Sequence, residues 1–211
     1  NISIIGEVGG IPILVEAMTH HISETNAMLW SMKLLWRLLD GNSGSASKRR
    51  LHVMHRMVVI RKLSQADFIQ MASKLLRKQM TGELQFLTAE LMAVVILGSG
   101  GESDLMKRTI LFENASRCAP SLIRGMGDYP EDASAQAAGL AFLSALCSIG
   151  GDMPEFLMEN EALEAISSAM ERNDGDPNIL EAGTWALWKL SASWKSSENP
   201  YPLDSVTKVQ V

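Results

Sequence analysis

Cysteine is scarce in this chain: Cys118 and Cys147 are the only two among 211 residues. They sit in apolar, helix-like text with no metal-ligand spacing. Two such residues do not make a disulfide framework, so a reducing compartment is expected, the cytoplasm first and the nucleus as the alternative. Long apolar runs are also missing. The longest, Leu91 to Leu97, is far below the ~20 residues that a membrane-spanning helix needs, so no transmembrane segment is expected. No stretch sustains period-two alternation, which argues against a sheet. There is no Gly-rich phosphate loop, no Gly-x-Ser-x-Gly elbow and no Cys/His nucleophile context. A non-catalytic protein without a cofactor is the expectation. Histidines number four. His52 and His55 share a helical face, but no third ligand stands near them to complete a zinc site; His20 and His21 lie in a polar turn.

What is present is an ordinary globular balance, 46% apolar and 20% charged, with 13 methionines. Methionine fills irregular gaps and adapts to varied contacts, which suits helix-on-helix packing. The net charge of −5 hides an asymmetry: residues 1–100 sum to +4 and residues 101–211 to −9. Glu155, Glu159, Glu161, Glu164 and Glu171 follow helix surfaces as solvated faces rather than an acid–base pair. The chain opens on Asn1 rather than Met, as expected of a fragment or a processed product.

The decisive pattern is internal repetition. Ile11-Pro-Ile-Leu-Val-Glu-Ala-Met18 aligns without gaps on Ala119-Pro-Ser-Leu-Ile-Arg-Gly-Met126, and Leu163 to Met170 aligns on that in turn. The following helix keeps the register, because Leu35-Trp-Arg-Leu38 aligns on Leu187-Trp-Lys-Leu190 at the summed offset. Phe68 to Leu75 is a looser fourth copy. Each unit reads as a short first helix, a break, a second helix, a polar turn and a longer third helix. The units span about 1–41, 48–101, 104–151 and 154–193, and 194–211, with Pro200 and Pro202, reads as a tail or linker. In the last third helix, Ile179, Gly183, Leu187 and Leu190 form the stripe expected to face a core. Units that cannot bury their apolar faces alone stack on their neighbours, so the expected fold is all-α, a right-handed α-solenoid.

Gly9-Gly-Ile-Pro-Ile-Leu-Val15 and Trp185-Ala-Leu-Trp-Lys-Leu190, four units in register, resemble the armadillo repeat family. The turns at Thr19-His-His and Tyr129-Pro-Glu-Asp132 are similar to those of armadillo-only and signalling-scaffold members. The resemblance covers residues 1–193 and implies a concave groove, lined by third helices, that receives an extended or helical partner segment. Importin-alpha-like members carry a Trp with an Asn four residues later along that groove. Here Lys189 follows Trp185 at that distance, Lys33 and Arg37 take the two positions in unit one, and Ala141 and Ala145 take them in unit three. Basic residues in the groove look more like the beta-catenin-like members, which hold acidic partners.

By this register the groove positions are Lys33, Trp36 and Arg37, then Glu90, then Ala141 and Ala145, then Trp185, Trp188 and Lys189. Lys and Arg would meet partner carboxylates, Trp185 would serve as an anchor and the alanines would leave a pocket. The opposing reading, that the tryptophans, Trp30 included, are packing residues, stays open. A second candidate surface is the basic stretch Lys48, Arg49, Arg50, Arg56, Arg61 and Lys62, within a span to Lys78 whose only acid is Asp67. It would suit nucleic acid, an anionic membrane or an acidic partner, or simply be a solvated face; Leu51, Met54, Met57 and Val58 are expected on its apolar side. A subunit buried by its unit ends in a larger assembly is a third reading. The C-terminal Lys208-Val-Gln-Val211 would fit a strand-addition domain.

Overall fold

In the computed structural model the backbone is described over residues 9–40, 46–78, 81–98 and 105–193, and side chains over 9–39, 55–78, 81–98 and 109–192. Ten helices occur there: α1 (Gly10–His20), α2 (Thr25–Asp40), α3 (Ala46–Gln65), α4 (Phe68–Leu76), α5 (Gly82–Gly98), α6 (Leu105–Asp128), α7 (Ala133–Cys147), α8 (Met153–Glu159), α9 (Ala162–Arg172) and α10 (Pro177–Ser193). No strand occurs among the described residues. The tail 194–211 and the residues ahead of Gly9 lie outside them.

The helices form two rows. The third helices of the four units, α2, α5, α7 and α10, pack each against the next, and so do the second helices, α1, α4, α6 and α9. Within each unit the second helix packs on the third. The first helices bridge the layers: α3 touches α1, α2, α4 and α5, and α8 touches α6, α7 and α9.

Apolar spacing explains which faces turn inward. Met28, Met32, Leu35 and Leu38 of α2 recur at steps of three and four and are fully buried, as a stripe on a 3.6-residue period demands. In α10, Ile179, Ala186 and Leu190 are buried, as is Gly183, and Leu187 is half-buried. α7 is clasped between α5 and α10, and every residue from Phe142 to Cys147 is buried. Asp132 caps α7, its carboxylate accepting from Ala135 N at 3.1 Å, and Asp176 accepts from Asn178 N at 2.8 Å at the start of α10. Such caps hold one of the otherwise unpaired amide donors at a helix start.

One thirteen-residue spacing recurs in the sequence of all four units. Met18, Leu75, Met126 and Met170 on the second helices are each followed, thirteen residues on, by Ser31, Thr88, Gly139 and Gly183 on the third. A Cβ on Gly139 would collide with Met126 Sδ, and one on Gly183 would stand 2.5 Å from Met170 Sδ. The glycines therefore let second and third helices approach closely.

The turns between second and third helices also meet across units. Lys78 Nζ donates to Ser23 Oγ at 3.0 Å. Tyr129 packs edge-on against Phe86, with centroids 5.7 Å apart, and Asn173 Nδ2 donates to Pro130 O at 3.4 Å. Gln136, buried, closes its own turn by donating to Met126 O and Tyr129 O, both at 2.8 Å.

Three local expectations need correction. The first and second helices of unit three, expected to be separated, are one continuous helix, α6, with Pro120 inside it. Elsewhere a left-handed residue breaks the chain just before the second helix: Gly9 (φ 81), Asp67 (φ 55) and Glu161 (φ 64). No residue of that kind stands near Ala119, and a proline's fixed φ is compatible with helix even though its missing N–H leaves one bond unmade. In α9 the buried residues are Ala162, Ile166 and Ala169, while Leu163 is exposed; the helix is turned by about one residue relative to the alignment with Ile11. On α3 the inward face is Val59, Ile60 and Leu63, with Met57 and Val58 exposed; Leu51 and Met54 fall outside the described side chains.

Two stability outcomes follow. Gly139→Val should cost about 1–3 kcal/mol through overpacking against Met126, read as a lower denaturant midpoint with an unchanged slope. Glu161→Gly should instead stabilise by roughly 1 kcal/mol, because glycine adopts the left-handed conformation without the Cβ clash; a lowered midpoint would contradict this.

Candidate functional site

α10 builds the most distinctive surface feature. Trp185 and Trp188 are 51% and 52% exposed, three residues apart and so neighbours on one helix face. Their ring centroids lie 4.8 Å apart with planes tilted by 35°. Lys189 Nζ stands 5.3 Å from both centroids, within the range of a cation–π contact of about 0.5–1 kcal/mol at exposed sites.

Opposite these rings α7 presents Ala141 and Ser144, and the end of α5 presents Leu97; an open cleft of about 1020 Å³ lies between them. The small side chains of α7 create the space. Ser144 is only 2% exposed, and its Oγ has no hydrogen-bond partner. A buried hydroxyl without a partner costs about 1–3 kcal/mol. Among the described residues, Glu181 is the one charged residue lining this cleft.

At the other end of the third-helix row, Lys33 Nζ is 2.7 Å from Glu83 Oε1 on α5 and 5.3 Å from the Trp30 ring centroid. Lys33 is thus already engaged across the boundary between units one and two. Arg37 is exposed and Trp36 is half-buried, the latter packed against the core. Trp30, expected from the sequence more as a packing residue than as a contact, is instead 69% exposed. Glu90 is half-buried, and burial pushes its carboxyl above the ordinary carboxylate value near 4.5.

The structure therefore brings Ala141, Trp185 and Trp188 to one cleft with Lys189 over the two rings, while Lys33, Trp36 and Arg37 lie at the far side of the row. Ala145 is a correction: it is fully buried, because α7 is covered on both flanks and this alanine faces inward. Sequence reasoning missed Ser144, Leu97 and Glu181 as cleft residues. The only available signal was position: Ser144 follows Ala141 by three residues and Glu181 precedes Trp185 by four.

Other candidates are dispersed. Of the basic stretch, Arg56 and Arg61 are exposed and Lys62 is half-buried; the side chains of Lys48, Arg49 and Arg50 lie outside the described residues. His20 and His21 are exposed and His55 is half-buried. Among the described residues no cluster of His, Cys, Asp and Glu could hold a metal ion. Burial pushes both thiols, Cys118 and Cys147, up to about 12, so both stay protonated and unreactive near neutral pH. No helix, among the described residues, is long and apolar enough to cross a membrane. A second cavity, of about 560 Å³, lies between α6 and α9 with charges of both signs on its walls, including Arg124, Arg172, Glu161 and Glu164. Comparison with known protein families, curated proteins and solved structures finds no match to this chain.

The position of Glu90 has a measurable consequence. An acid whose folded-state pKa is raised holds its proton more tightly folded than unfolded, so stability declines as pH rises through the raised value. Glu90→Gln should raise the melting temperature at neutral pH, with the gain shrinking as pH falls towards 4.5. Melts of both proteins across that range would show it; a pH-independent difference would refute the assignment.

Proposed function

We propose that this chain is a non-catalytic interaction scaffold: an armadillo-like right-handed superhelix of about four three-helix units whose third-helix row receives an extended or helical segment of a partner protein. The observation that carries the reading is the Trp185–Trp188 pair, half-exposed beside an apolar cleft. Tryptophan is enriched among the few residues that supply most of the affinity at protein interfaces, where a partner buries it fully. The two-row stacking of second and third helices supports the architectural half of the reading, and the four-fold alignment of the sequence supports its repeat character.

The row's charge modifies the expectation of an acidic partner. Among the described side chains of the third helices, Lys33, Arg37 and Lys189 are matched in number by Glu83, Glu90 and Glu181, and α7 has no charged residue. Apolar and aromatic contact is therefore the main source of affinity in this reading, with charge fixing orientation.

A displayed random-peptide library selected on the whole chain tests it. Enriched peptides should bind Trp185→Ala roughly thirtyfold more weakly, the size of an interface hot spot, while circular dichroism shows the variant still folded. Failure to enrich any sequence, or equal binding to the variant, would reject the groove as the binding surface.

A further inference from the structure

The two ends of the described stack expose large apolar residues at positions that the inner units cover. Trp30, Leu87, Ala138 and Ala182 each stand one residue before the third-helix position of the thirteen-residue spacing. Ala138 is buried, Leu87 and Ala182 are half-buried against the core, and Ala182 lines the cleft opposite α7. This position therefore turns toward the preceding unit, yet Trp30 is exposed. Ile13 repeats the pattern. Its equivalents Gln70 and Ala165 line the clefts against α1 and α6, and Ser121 O accepts from Gln85 Nε2 of α5 at 3.2 Å; Ile13 itself is exposed. At the other end Trp188, also exposed, takes the position of Trp36, Ala93 and Ser144. Ala93 and Ser144 are buried, Trp36 packs on the core, and Ser144 faces α10 across the cleft, so this position turns toward the following unit. Leu187 is half-buried where Leu35, Met92 and Leu143 are fully buried. Ser191 is exposed where Leu39, Ile96 and Cys147 are buried, so apolar contact on this face centres on Trp188 and Leu187.

We infer that these faces meet between two copies of this chain, the Ile13–Trp30 face of one on the Trp188 face of the other, so that copies add head to tail. Continuity with the junctions inside the chain is the first reason. The positions left open at one end are those that receive a neighbour at every inner boundary, and the positions open at the other end are those that supply it. Charge is the second. Residues 10–65 carry eight Lys and Arg against three acids, whereas residues 153–193 carry two against eight, and α3, which holds most of those basic residues, packs on α1 and α2. A basic end therefore meets an acidic one, while two acidic or two basic ends repel. Because the two faces differ, the contact is heterologous, and growth does not stop at a dimer. It engages the ends of the stack rather than the third-helix groove.

Sedimentation equilibrium on the whole chain tests this. The weight-average mass should climb with concentration and pass that of a dimer. Trp30→Gln and Trp188→Gln, each shown folded by circular dichroism, should each weaken self-association about tenfold or more. An equimolar mixture of the two variants should form a dimer and nothing larger, because one intact face of each kind remains and the outer faces are both blocked. A wild-type chain that stays monomeric at every concentration would overturn the proposal and leave the end faces to a different occupant. A wild-type mass that levels off at a dimer, either variant associating alone as tightly as wild type, or a mixture that associates no better than its components would overturn it equally. None of these outcomes bears on the groove, which Trp185→Ala reads separately.

Discussion

Units three and four depend on how near their second and third helices can come. Met126 over Gly139 and Met170 over Gly183 set that distance in units three and four, where any Cβ would displace the sulfur. Close packing at this point is unforgiving, since interiors have little free volume to absorb an added methyl. In units one and two the same sequence spacing leads from Met18 to Ser31 and from Leu75 to Thr88. Second helices stack on second helices and third on third, and the third-helix row leaves an outward face on α2, α5, α7 and α10. The cleft beside Trp185 exists because α7 carries alanine and serine where a bulkier residue would fill it.

Charge is distributed to match. The acids that make residues 101–211 so negative are concentrated in turns and on the outer layer, as with Asp128, Glu131, Asp132, Glu159, Glu161, Glu164, Asp174 and Asp176. The third-helix row is close to neutral. A partner approaching this row meets aromatic and aliphatic surface first, with Lys33 already paired to Glu83 and Glu181 standing unscreened by any described cation partner. Discrimination between ligands then rests on a small number of polar groups, which is how a mostly apolar pocket achieves selectivity.

Much of the helical layout was legible because its punctuation is chemical. Gly9, Asp132, Asp176 and the turn at Asn173 announce helix ends, and apolar residues at steps of three and four announce inward faces. What escaped has physical causes too. Alanine has no polarity to mark a face, so Ala141 and Ala145 look alike in sequence although one borders the cleft and the other is enclosed. Pro120 suits either a helix start or a helix interior, so the continuity of α6 is decided by its surroundings. The turning of α9 leaves no mark because Ala162 and Leu163 are adjacent apolar residues, either of which suits an inward face. Trp30 could satisfy its ring by burial or by the nearby Lys33 ammonium, and only the structure chooses the second. The Lys33–Glu83 pair joins two units, and their relative stagger leaves no periodic trace in the sequence.

The charge-free character of α7 bears on how such a protein could be rearranged. Unit three is suited only to an interior place: with α5 and α10 removed from its flanks, its alanine, leucine and phenylalanine surface would meet water with nothing to keep it dispersed. Units one and four tolerate solvent because Lys33, Arg37, Glu181 and Lys189 accompany their tryptophans. The four segments are therefore not interchangeable beads. Shuffling their order, or trimming the chain so that the third becomes terminal, would yield a precipitating product rather than a shorter working one.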